Sequence, residues 1–251
     1  MRALVPWITL ALIGLTRPCY AQGSIRDSTL SMVVVSASYA QQFPGGDLAD
    51  RFGTNSNVAI CAVRKTRSNF TFGVEGSFIF GNKVVEPGIL RNVINSAGQI
   101  VDSDGQMADV FLYERGWTAF ATVGKILPLF GPNPNSGLML KVGGGYMRHK
   151  VRVQTQKNVV PQLEDEYLEG YDRLCAGPAA LLFVGYQHLS NRGRVNFFVG
   201  MELMAGFTQA LRPYNFDTEL CNTPDRTDLL TGLRVGWCLP IYQRMDDRFR
   251  Y

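Results

Sequence analysis

The chain has 251 residues, enough for one domain with a sizeable core. Apolar residues make up 46% and charged residues 18%, a balance that excludes an intrinsically disordered chain. The net charge of +4 is small and the basic residues are dispersed, so nucleic acid is excluded as a partner.

In chain order the first element is a leader. Arg2 opens it, and Ala3 to Thr16 form an apolar stretch too short to cross a bilayer. Cys19 and Ala21 occupy the small-residue positions before Gln22. Residues 1–21 are therefore expected to be a signal peptide, with 22–251 as a single barrel domain. No later run is long and apolar enough for a membrane helix.

The rest of the chain is patterned with period two. In Asn69 to Gly81, Phe70, Phe72, Val74, Phe78 and Phe80 share one face, while Thr71, Gly73, Glu75 and Ser77 share the other. Val195 to Thr208 and Leu229 to Tyr242 alternate in the same way. Such alternation reads as strand, because successive side chains point to opposite faces. Eight segments follow, at 31–42, 57–66, 69–81, 116–127, 137–153, 177–189, 194–209 and 228–242. The segments 116–127 and 177–189 are apolar on both faces. Segment 137–153 changes phase between Tyr146 and Val151, which suggests a bulge.

The links alternate in length. Long links at 43–56, 82–115, 154–176 and 210–227 are separated by short ones at 67–68, 128–136 and 190–193. This rhythm predicts an all-β fold: an antiparallel, up-and-down, eight-stranded transmembrane β-barrel with short periplasmic turns and long extracellular loops. Glu75, Lys141, Glu202 and Arg234 fall in mid-segment on the less apolar face. Two acids and two bases there predict a neutralised lumen network. Eight strands leave an interior that side chains just fill, so no large channel is expected.

The leader, the strand rhythm and the loop rhythm resemble the small eight-stranded bacterial outer-membrane barrels, such as the OmpA barrel domain. They are more similar to the PorT-like group of Bacteroidota. FPGGDLADRFG (43–53), GPNPNSG (131–137) and EYLEGYDRL (166–174) look like landmarks of such a group. The PorT-like resemblance implies a place in or near type IX secretion, hence a non-enzymatic structural, assembly or secretion-accessory role exerted through the loops. Its implied partners are outer-membrane lipid, including lipopolysaccharide, and secretion-machinery proteins.

His188-Leu189-Ser190-Asn191 resembles the H-x-S-N motif of lipid A deacylases of the PagL type. That resemblance implies an alternative, enzymatic reading: His188 as general base, Ser190 as nucleophile and Glu202 orienting the histidine. A tight turn at 190–193 instead pairs His188 near Val195 and Glu202 near Leu181, roughly 23 Å along the strand from His188 at ~3.3 Å per residue. Ser, Asn and Gly are ordinary turn residues, so a turn is the simpler account.

His149 and His188 are distant and offer no zinc spacing. Asp102-Ser103-Asp104-Gly105 begins like a calcium loop, but Tyr113 stands where its closing Glu belongs, and a hairpin turn accounts for it better. No metal or cofactor is expected. Arg148, Lys150 and Arg152 mark either a solvated strand end or a basic rim for lipopolysaccharide phosphates. Among Cys61, Cys175, Cys221 and Cys238, the preferred disulfide joins Cys175 to Cys221, since their two long links neighbour each other. Cys61 and Cys238 are read as free thiols in the lumen. The strand pattern ends near Tyr242, and a charged tail, MDDRFRY, follows.

Overall fold

The computed structural model describes residues 28–156, 159–191, 195–219 and 225–242. The expected leader 1–21, Gly193, Cys221 and the charged tail lie outside the described residues.

Eight antiparallel strands follow one another: β1 (Met32–Gly46), β2 (Asn55–Lys65), β3 (Phe70–Gly81), β4 (Asp109–Leu127), β5 (Gly137–Gln156), β6 (Cys175–Leu189), β7 (Asn196–Ala210) and β8 (Arg226–Tyr242). Each pairs with the next, and β8 returns to β1, so the sheet closes on itself. Closure leaves no strand edge with unpaired backbone groups. Between β5 and β6 lie a 3-10 turn at Pro161–Leu163 and one helical turn, α1 (Asp165–Leu168). Among the described residues, no helix is long and apolar enough to cross a membrane.

Period-two patterning decides which face goes in. Val58, Ile60, Phe72, Val74, Phe78, Val199, Met201, Leu233, Val235 and Trp237 are all exposed on the outside. Glu75, Lys141, Glu202 and Arg234 are buried inside. The segments apolar on both faces resolve in the same way: Trp117 and Val123 point out from β4, while Thr118, Phe120 and Thr122 point in. Outward charges on the strands stand toward their ends: Arg64 and Lys125 near the short turns, and Asp109, Arg115, Arg148, Lys150 and Arg152 near the long links. From Lys125 to Arg115 the strand covers roughly 33 Å at ~3.3 Å per residue, and a tilt of about 40° projects this to an uncharged belt of about 25 Å.

The expected bulge in β5 is absent. β5 pairs with β4 without interruption from Leu138 to Gln156. The phase change has another cause. Up to Tyr146 the outward residues, Leu140 and Val142, are apolar and the inward Lys141 is charged. Beyond it Met147, Val151 and Val153 face inward, while Arg148, Lys150 and Arg152 face outward. The polarity of the two faces swaps while the pleat continues.

Several boundaries also move. β1 runs on to Gly46 and β4 begins at Asp109, so the first two long links shorten to 47–54 and 82–108. The other links are 157–174 and 211–225 at the same end, and 66–69, 128–136 and 190–195 at the opposite end. Within 82–108, Val101 bridges Met107, and the Asp102 carboxylate accepts from the Asp104 and Gln106 amides at 2.9 and 2.7 Å, which makes the small hairpin.

The GPNPNSG turn folds back into the barrel mouth. Asn133 and Asn135 are buried there, and Lys65 Nζ donates to Asn135 Oδ1 at 2.8 Å and to Leu30 O at 3.1 Å. Gly137 leaves this turn with φ 150, where an added Cβ would lie 1.9 Å from Leu127 O. Gly137→Ala is expected to cost about 1–3 kcal/mol. Gly76→Ala, whose methyl group meets open space, should be close to neutral. Urea unfolding followed on the heat-sensitive electrophoretic mobility of the folded barrel measures both.

Candidate functional site in the barrel lumen and its lid

The strands bring the four lumen charges into one chain of contacts. Lys141 Nζ donates to Glu75 Oε2 at 2.5 Å. Arg234 Nη1 lies 3.1 Å from Glu75 Oε1, and Arg234 Nε donates to Glu202 Oε2 at 2.5 Å. Two carboxylates and two cations cancel, so the layer is neutral. Polar neighbours complete it: Arg234 donates to Ser38 Oγ at 3.0 Å and Asn57 Oδ1 at 3.1 Å, and Gln42 Nε2 donates to Glu202 Oε1 at 2.7 Å. Asn57 Nδ2 donates to Ser77 Oγ, which shares a hydrogen bond with Thr118 Oγ1.

Apolar side chains close this layer from both sides. Toward the short turns, Met32, Val34, Val63, Ile126, Met139, Phe183, Leu189 and Phe198 pack together with Cys61 and Cys238. Both cysteines are free thiols, and both pair in register with Ser36 of the intervening β1. Lys141 Nζ lies 5.3 Å from the centre of the Phe183 ring. That ring fits because Gly200 faces it: a Cβ there would lie 2.6 Å from Phe183 Cζ. Toward the long links, a second cluster forms from Ile79, Phe120, Met147, Val151, Leu181, Met204 and Leu230 with Leu48, Phe52 and Tyr171 from the links themselves. The lumen is packed at this depth rather than open.

Above it sits a lid that sequence reading missed. Arg173 is buried, with φ 49. Its Nε donates to Glu86 Oε1 at 2.7 Å, and its Nη2 reaches both oxygens of Asp217 at 2.6 Å. Arg51 Nε lies 3.3 Å from Glu86 Oε2. One guanidinium and one carboxylate thus tie together all four long links. Burial by itself would lower the Arg173 pKa, but its hydrogen bonds to the Asp217 and Glu86 carboxylates, with their negative charge, outweigh it and hold the group above its ordinary value. Arg212 similarly clamps Asp172 at 2.8 and 3.1 Å. Tyr171 packs edge-on against Phe216, with centroids 5.6 Å apart. Beneath the lid, His149 Nε2 lies 2.8 Å from Asp228 Oδ2, which also accepts a short hydrogen bond from Thr208.

The deacylase-like residues do not converge. The 190–195 link is longer than a tight turn, so His188 pairs with Phe197, and Glu202 pairs with Phe183. Glu202 points into the lumen, whereas His188 lies on the outward face with its ring stacked on Phe197 at 5.2 Å. Ser190 stands at the turn, its amide donating to Asn196 Oδ1. The two side chains needed for a base and its orienting acid are on opposite sides of the sheet.

Cys175 begins strand β6 rather than lying in a link, and it is a buried free thiol. Arg51 Nη1 donates to its sulfur at 3.1 Å. The expected partner, Cys221, is among the residues not described. Each sequence landmark has a packing role: 43–53 supplies Leu48, Arg51 and Phe52, 131–137 plugs the turn end, and 166–174 supplies Tyr171, Asp172 and Arg173. No local signal in the sequence marks the lid, since its charged residues come from four separate links.

No family model matches the sequence, and no curated protein matches it. Among solved structures, the chain is similar to Ail, the attachment invasion locus protein of Yersinia pestis, at 12% identity and TM-score 0.39, over 83% of this chain and 99% of that one. It is also similar to Neisserial surface protein A, at 14% identity and TM-score 0.38, over 82% and 96%. A third is the outer membrane protein OprG of Pseudomonas aeruginosa, at 10% identity and TM-score 0.36, over 85% and 98%.

Arg234→Met leaves Glu75 and Glu202 facing each other with Lys141 as the one remaining cation of the four. It is expected to destabilise the barrel by about 3–5 kcal/mol, the cost of an uncompensated buried charge, read as a shift in the urea midpoint. Arg173→Ala should leave the barrel midpoint nearly unchanged and release the links. Limited proteolysis is expected to show cleavage within 82–108 and 211–225 at least about tenfold faster, as local opening becomes cheaper.

Proposed function

We propose that this chain is a non-enzymatic β-barrel of the bacterial outer membrane that acts as a structural, assembly or secretion accessory through the surface formed by its long links. One observation carries the membrane part: the outside of a closed barrel is uncharged over about 25 Å, while the charges of the same strands lie inside. A soluble barrel has the opposite arrangement, and a continuous apolar surface in water is an aggregation hazard. Aromatic rings near the ends of the belt support the reading: Phe70 stacks on Phe72 toward the short turns, and Trp117 packs against Tyr146 toward the long links. A leader at 1–21 would supply export.

The packed lumen favours docking over conduction. The four tied links favour a single rigid surface over independent flexible loops. The secretion role itself rests on the resemblance to PorT-like barrels. The lipid A acyl hydrolase reading is disfavoured by the opposite orientations of His188 and Glu202, and lipid A mass is expected to be unchanged when the chain is deleted.

The test is mass spectrometry of what co-purifies with a tagged chain from mildly solubilised outer membranes. Secretion-machinery proteins are expected at a reproducible ratio to the barrel. Recovery of the barrel alone overturns the accessory role, and discrete conductance steps in planar bilayers overturn the closed lumen.

A further inference from the structure

We propose that the outward faces of β4 and β5, at their long-link ends, form a binding site for the phosphorylated head group of an outer-leaflet lipid. The proposal rests on the membrane reading above. Four cations gather there from two adjacent strands. Arg115 pairs in register with Lys150, Trp117 with Arg148, and Tyr113 with Arg152. Directly paired residues stand about 5 Å apart, and Arg148 and Arg152 are separated by about 13 Å along β5. The cluster therefore spans the width of a phosphorylated sugar head group.

Its anionic neighbours are already committed or out of reach. Asp172 approaches Lys150 only to 3.8 Å, and both of its oxygens are held by Arg212. Glu114 faces the interior, and Asp109 lies at the far end of β4. Arg148 and Arg152 are exposed and have no ion pair among the described residues. Arg115 is held at the edge of the patch: its Nη1 donates to Glu114 O at 2.7 Å and reaches Gly81 O of β3 at 3.4 Å, and its guanidinium lies 5.0 Å from the centre of the Tyr113 ring. Guanidinium groups bind phosphate oxygens in pairs of charge-assisted hydrogen bonds.

The surface below the cations suits the lipid's chains. Trp117 and Tyr146 pack with ring centroids 5.9 Å apart immediately beneath Arg148. Beyond them the outward residues are Val142, Ala119 and Ala121. On β6 the residue paired with Tyr146 is the exposed, uncharged Pro178, which leaves that side of the patch open, while Ala176 beside Arg148 is buried. Charge above and an aromatic and aliphatic wall below match one amphipathic ligand.

The test uses the full chain in detergent and native mass spectrometry with three probes: diphosphorylated lipid A, the same lipid A without its phosphates, and inorganic phosphate. The barrel is expected to retain the diphosphorylated lipid and to hold the dephosphorylated one at least about tenfold less well. Arg148→Gln combined with Arg152→Gln should lower retention by about tenfold or more. Arg64→Gln combined with Lys125→Gln, which removes the same charge at the opposite end, should leave it unchanged. Equal retention by the Arg148 and Arg152 variant overturns the site, as does equal loss in both double variants. Displacement by inorganic phosphate at matched concentration also overturns it, by assigning the patch to free phosphate. Heat-sensitive mobility verifies that each variant is folded. Flotation with phospholipid vesicles separates the two readings: a chain that does not float removes both, and one that floats with unaltered variant retention removes the head-group site alone.

Discussion

Arg234 is the charge around which the barrel interior is arranged. Removing a guanidinium from water costs several kcal/mol, and the cost is offset only when counter-charges and acceptors meet it with good geometry. Glu75 and Glu202 both reach it, and Ser38 and Asn57 take further hydrogen bonds. Each carboxylate then needs its own support, which Lys141 and Gln42 supply. The demand spreads across β1, β2, β3, β5, β7 and β8, so one buried cation couples strands from around the barrel. A layer this dependent on pairing must exclude competing water, and the apolar clusters above and below it do so.

The outer surface follows from the same inversion. With charges satisfied inside, the outward positions are left to aliphatic and aromatic side chains, and cations return only where the belt ends. β5 shows the limit of the inversion within one strand. Past Tyr146 the apolar side chains turn inward to join the core beneath the lid, and Arg148, Lys150 and Arg152 take the outside. A strand that leaves an apolar surrounding must exchange its faces, because the solvent on its outer side has changed.

The long links are built as a continuation of the core. Leu48, Phe52, Leu163 and Tyr171 extend the upper cluster, and the Arg173–Glu86 pair ties the links to one another. Arg173 holds a left-handed backbone conformation that a non-glycine residue adopts at some cost, and its three carboxylate contacts over-determine it. Loops held this way present a fixed surface, which suits recognition of a partner better than capture by a mobile arm.

Much of the barrel was legible in the sequence because alternation is local. Each strand writes its two faces into its own residues, so the eight segments, their directions and the four lumen charges follow from Phe70 to Phe80 and its counterparts. The apparent bulge in β5 misled because a swap of polarity and a slip of the pleat leave the same mark on a one-dimensional pattern. Long-range partners were not legible. Adding two residues to the 190–193 turn moves the partner of Glu202 from Leu181 to Phe183 and that of His188 from Val195 to Phe197, while the faces on which both stand are unchanged because the shift is a whole period of two. Arg51, Glu86, Arg173 and Asp217 come from four links with no shared pattern. The sequence by itself determined which side of each strand meets an apolar surrounding. Only closure of β8 onto β1 decided which charges meet, because register between strands is set by turn length and by the whole ring at once.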